Sequence, residues 1–102
     1  MRIDKCLWAL RLFKSRTIAT EACKNGQVKL NGAFVKPSAK VSEGDHVEIF
    51  KKPIWREYLL KELVEKRVAA SIAVECYEEM TSEEELKKLQ DFIDEKQFYL
   101  GR

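Results

Sequence analysis

The sequence predicts an α+β fold: two N-terminal helices packed on a small, mainly antiparallel sheet, with one more helix at the C-terminus. Three observations predict it. Capped segments with apolar stripes fill residues 5–24. Polar and apolar residues alternate on either side of Asn31-Gly32 and again over residues 46–50. Thr81, with Glu84 three residues on, opens an amphipathic run as a capping box does.

Asp4 is placed to cap a first helix over residues 5–13. Ile3, Leu7, Trp8, Leu10 and Leu12 are apolar on more than one side, so this helix is well buried, with Lys5 and Arg11 pointing out. Trp8 belongs to the core on this pattern. Ser15 caps a second helix over residues 16–24, striped by Ile18, Ala19, Ala22 and Cys23, and Asn25-Gly26 stops it. Residues 27–30 alternate as a strand, Asn31-Gly32 suits a type I′ turn, and residues 33–36 return as the second arm until Pro37 ends it. Residues 54–64 fit a helix slightly better than a strand, 65–71 read as a loop, and 72–77 as a short helical turn. Leu86, Leu89, Phe92 and Ile93 mark the apolar side of the C-terminal helix.

The 102 residues hold 45% hydrophobic and 35% charged side chains, enough for a modest core under a well-charged surface. No apolar run reaches the roughly 20 residues of a membrane span, and Asp4, Lys5 and Arg11 interrupt any secretion signal, so a cytoplasmic protein is expected. Three widely spaced cysteines argue against a disulfide framework, and with a single histidine they lack metal-site spacing. Cys6 and Cys23 read as small buried hydrophobes. Charge is uneven. Residues 1–56 carry 12 Lys/Arg against 5 Asp/Glu, net +7, and residues 57–102 carry 7 against 12, net −5. The basic half points to an anionic partner.

The stretch from Met1 to Ile49 resembles the S-four type RNA-binding domain, or αL motif. Its elements match in order: Arg2-Ile3-Asp4-Lys5, Lys14-Ser15-Arg16, Gly26-Gln27-Val28, Lys29-Leu30-Asn31-Gly32, Val35-Lys36-Pro37 and Gly44-Asp45. With "EKRVAASIAVECYEEMT" following, the chain is similar to the ribosome-associated heat-shock-protein-15 family. The resemblance implies an RNA-binding domain over residues 1–64, an extension over 65–102, and an extended strand over 56–64. It departs at Cys6, where the family often has Trp, and at the acidic helix that stands in place of the long basic tail of some members.

The resemblance also implies a site. Free N–H groups at the second helix, the Ser15 hydroxyl, Lys14 and Arg16 make a phosphate-binding corner. Arg2, Lys5 and Arg11 extend it, and Lys29, Asn31 and Lys36 supply its other side. A cation at a helix start is unfavourable alone, and an anionic ligand offsets that cost. The expected partners are structured ribosomal RNA of the large subunit, tRNA as a second RNA, and the ribosome, with stalled or stress-damaged large subunits as the target. No membrane, small-molecule substrate, metal or cofactor is expected, and no catalysis. The rivals are a protein-interaction adaptor and the RNA-binding module of an enzyme such as a pseudouridine synthase. Only about 50 residues follow the motif, too few for a catalytic domain. The acidic C-terminal helix is expected to tune affinity by competing for the basic patch.

Overall fold

The computed structural model describes the backbone of residues 1–100 and the side chains of residues 1–97. Along the chain it forms α1 (Ile3–Ala9), α2 (Arg16–Lys24), β1 (Val28–Leu30), β2 (Ala33–Phe34), β3 (His46–Lys51), β4 (Ile54–Leu60), α3 (Ala70–Cys76), β5 (Tyr77–Glu79) and α4 (Glu83–Leu100). The five strands make one antiparallel sheet in the order β2-β1-β3-β4-β5. One sheet face presents Val28, Val47, Ile49, Tyr58 and Leu60 to a single core, where they meet Ile3, Cys6, Leu7 and Leu10 of the α1 region and Ala19, Ala22 and Cys23 of α2. The alternation expected around the hairpin is the reason: every second strand residue turns inward. No described helix is long and apolar enough to cross a membrane.

The second helix forms over residues 16–24 as expected. Ser15 Oγ accepts from the Ile18 amide at 3.1 Å, and Gly26, at φ +69°, closes the other end. There the Gly26 and Gln27 amides bond back to the Cys23 and Ala22 carbonyls at 3.3 and 2.9 Å. The hairpin turn is also as read, with Asn31 at φ +50° and Gly32 at φ +86°.

Five boundaries differ from the sequence expectations. The first helix runs over residues 3–9 rather than 5–13, and Asp4 lies inside its first turn. Its free amides are satisfied from a distance, Ile3 by the Ala39 carbonyl at 2.7 Å and Asp4 by Pro37 at 3.3 Å. Arg11, at φ +60°, ends it. The second hairpin arm stops at Phe34. The segment whose periodicity leaned to a helix is the strand that the resemblance implied, though over Ile54 to Leu60 rather than 56–64, because it pairs with β3 from Lys51↔Ile54 to His46↔Leu59. The helical turn near residue 72 begins at Ala70, and Tyr77 instead starts β5, an edge strand that the sequence reading missed. The C-terminal helix is capped by Ser82, whose Oγ accepts from the Glu85 amide at 3.2 Å. Thr81 has other work: its hydroxyl accepts from the Glu57 amide at 3.2 Å and donates to the Glu79 carboxylate at 2.9 Å.

Candidate nucleic-acid interface

The basic residues of the first two helices are organised by one buried acid. Asp4 is 1% exposed. Its carboxylate accepts from Arg2 Nε at 3.1 Å and Nη2 at 3.0 Å, from the Lys5 amide at 2.8 Å and from Thr20 Oγ1 at 3.0 Å. Arg16 Nη2 approaches at 3.7 Å. Burial pushes the carboxyl pKa up, but the hydrogen bonds from Arg2, Thr20 and the Lys5 amide outweigh it and hold the group below the ordinary aspartate range. Arg2 and Arg16 are thereby drawn together from either side of α1. Two guanidiniums on one carboxylate leave net positive charge, and each keeps donors to spare. Asp4 also answers the cation at the start of α2: the chain offsets part of that cost itself.

Arg2 forms an isolated antiparallel bridge with Lys40, and the carbonyls of Pro37 and Ala39 cap α1, so the loop carrying Lys36 and Lys40 lies along the same edge. Lys14 is exposed beside the Ser15 cap. The Ser15 hydroxyl proton remains free to donate while its oxygen caps the helix.

A second group meets residues 65–68, which run along α1. Lys5 Nζ bonds Glu65 at 2.9 Å, Arg67 lies 5.7 Å from the Trp8 ring centre, and Arg11 Nε donates to the Val68 carbonyl at 2.6 Å. Arg67 Nη1 also donates to the Lys14 carbonyl at 2.8 Å. Trp8 is only partly buried, under the Arg67 guanidinium rather than deep in the core. Acids of the second half reach cations of the first at two places among the described residues, Glu65 at Lys5 and Glu79 at Arg56, 2.9 and 2.7 Å. Among the described residues of α4, Glu85 pairs with Lys88 within the helix.

The hairpin residues take separate places. Lys29 sits over the Phe34 and Trp55 rings, at 5.0 and 4.8 Å. Asn31 spends both ends of its amide on the start of β3: Nδ2 donates to Asp45 Oδ1 at 3.2 Å, and Oδ1 accepts from the His46 amide at 2.9 Å. Lys36 is exposed. The structure thus gathers Arg2, Arg16 and the Lys36 loop around Asp4, with Lys14 and Ser15 at the α2 start. It places Lys5 and Arg11 beneath residues 65–68, and Lys29 and Asn31 on the hairpin. Sequence reasoning did not single out Lys40 and Arg67 or the organising role of Asp4. The Arg2-x-Asp4 spacing was a usable signal for the last; nothing local marks Arg67.

The S4 domain family matches residues 1–47. A heat shock protein 15 homolog from Aeromonas salmonicida is 33% identical over 98 residues, 96% of this chain and 73% of its own length. A protein named RQC P-site tRNA stabilizing factor from Helicobacter pylori is 47% identical over 49 residues, which cover 48% of this chain and 58% of that one. The trimeric structure of heat shock protein 15 from Vibrio cholerae superposes with a TM-score of 0.80 at 26% identity, covering 96% of this chain and 97% of that one. With an S4 domain match over residues 1–47 and a relative aligned over 96% of this chain, the chain belongs to the heat shock protein 15 family.

Proposed function

We propose that the protein is a non-catalytic, cytoplasmic RNA-binding protein that binds structured ribosomal RNA on the large subunit and acts on stalled or stress-damaged particles. The observation that carries this reading is the pair of half-exposed guanidiniums, Arg2 and Arg16, held on the buried Asp4 beside the Ser15-capped start of α2. Fixed cations next to free helix N–H groups suit phosphate, and duplex RNA is read mainly through its shape, phosphates and 2′-hydroxyls. Relatives named P-site tRNA stabilizing factors support a ribosomal setting, with tRNA as a second RNA. Arg2, Lys14, Ser15, Arg16 and Lys36 form the contact face. Lys5 and Arg11 extend it along α1, Lys29 adds charge from the hairpin, and Asn31 contributes by fixing the hairpin's shape.

Co-sedimentation with ribosomal subunits across a salt series tests the reading. Wild type should travel with the large subunit and be released by salt, while the Lys14→Ala/Arg16→Ala double variant stays in the supernatant. Wild type that stays behind even at low salt removes the ribosomal role.

A further inference from the structure

A shallow groove of about 390 Å³ lies between the C-terminal end of α2 and the second arm of the hairpin. Lys24, Lys36, Phe34 and Pro37 line it together with the buried Cys23. We propose that this groove holds one unpaired nucleotide of the bound RNA, its base stacked on Phe34 and its flanking phosphates on Lys24 and Lys36; the proposal rests on the RNA-binding reading above.

Phe34 is 62% exposed, the most exposed large apolar side chain described. The core does not use it. Its ring is nevertheless held: Lys29 Nζ sits 5.0 Å from its centre and Trp55 packs edge-on at 6.2 Å. Neither of those residues lines the groove, so both brace the ring from outside it. A braced ring loses little rotamer freedom when a flat partner stacks on it. The groove lies within the roughly 300–1,000 Å³ span of small-ligand clefts. An exposed ring between two ammonium groups is the chemistry that takes a base by its π-face and its phosphates by charge. A paired base is hidden in its stack, so the occupant is an unpaired one. Lys24 has one weak competitor, Glu21 at 3.8 Å, and both side chains are more than half exposed. Such a pair gives way readily to phosphate.

Position supports the same occupant. Pro37, which lines the groove, accepts the Asp4 amide at 3.3 Å. Thr20, one turn before Lys24 on α2, bonds the same aspartate. The groove therefore opens beside the Arg2–Arg16 pair, where a duplex held by its phosphates can extend a bulged nucleotide into it.

The test uses two RNA hairpins, identical except that one carries a single unpaired 2-aminopurine and the other is fully paired. Binding is followed by anisotropy and by 2-aminopurine emission. Wild type should bind the bulged RNA roughly tenfold more tightly, with a change in emission on binding. Phe34→Ala should lose both the preference and the emission change while keeping the wild-type affinity for paired RNA, and Phe34→Tyr should retain both. The urea midpoints of the variants show that they fold. Equal affinity for the two RNAs with unchanged emission overturns the groove and leaves the RNA-binding reading standing. Failure to bind either RNA overturns both.

Discussion

Arg2 and Thr20 share one carboxylate. Arg2 grips Asp4 through Nε and Nη2 at 3.1 and 3.0 Å, and the Thr20 hydroxyl reaches the same group from α2 at 3.0 Å. The bond set ties α1 to α2 and aims the arginines in one stroke. Asp4 joins the two helices and, on the proposed function, also sets the contact face.

Asp4→Asn keeps the size of the side chain and removes its charge. The guanidinium bonds lose their charge assistance, and an amide N–H is forced towards donors. Arg2 and Arg16 are about half exposed and turn to water, which limits the loss. A destabilisation of about 2 kcal/mol is expected. Urea unfolding should show a lower midpoint with an unchanged slope.

The same group makes stability pH-dependent. Its folded pKa is held below the ordinary value of 3.8, so the folded carboxylate stays ionised where the unfolded one takes up a proton. Its contribution is fully present above the unfolded value and is lost as pH falls through the depressed folded value. The urea midpoints of wild type and Asp4→Asn should differ at neutral pH and converge in acid below 3.8. A gap that stays constant across that range assigns the effect to packing instead of charge.

What the sequence disclosed follows the range of the interactions. The second helix and the hairpin turn were legible because Ser15, Gly26 and Asn31-Gly32 determine them within four residues. The start of α1 was not, since its amides are satisfied by Pro37 and Ala39. Strand β5 is set by its pairing with β4, which no local pattern announces. The candidate site divides in the same way. Lys14, Ser15 and Arg16 stood together in the sequence. Lys5 meeting Glu65, sixty residues on, and Arg11 meeting Val68 are products of the tertiary fold.

Glu65 holds Lys5 through an exposed ion pair of 2.9 Å. Such a pair adds little to stability, so Glu65→Gln should leave the urea midpoint unchanged. It frees an ammonium group for phosphate. RNA binding should tighten a few-fold at low salt, and the slope of log K against log salt should steepen by about one. Adding Lys5→Ala to Glu65→Gln should return both readouts to their wild-type values. Identical salt slopes for wild type and Glu65→Gln would mean that Lys5 makes no phosphate contact.

All three cysteines are free and buried. Burial pushes the Cys6 thiol up to about 12 and Cys23 up to about 11, and Cys76 is raised as well. The reactive species is the thiolate, which burial makes scarcer at neutral pH. Native protein should therefore react slowly with a thiol reagent, and urea-unfolded protein should release three rapid equivalents. A fast native equivalent would locate a thiol that opens to solvent without global unfolding.

Asn31 fastens the hairpin to the sheet. Its backbone amide donates to the His46 carbonyl at 2.8 Å, its side chain bonds the His46 amide and Asp45, and Asp45 in turn accepts the Ser42 amide at 2.8 Å. It does this at φ +50°, in the left-handed region that alanine resists. Asn31→Ala loses both side-chain bonds and strains the turn, at a cost of about 1–2 kcal/mol. Asn31→Gly loses the same bonds but keeps the backbone conformation, so it should recover part of that loss. The glycine variant isolates the amide from the turn. Because both ends of the amide are engaged within the chain, folded Asn31→Gly should bind RNA within about twofold of wild type, well under the roughly 1 kcal/mol of a typical lost hydrogen bond. A tenfold weakening at constant fold would instead give the Asn31 amide a direct contact with RNA.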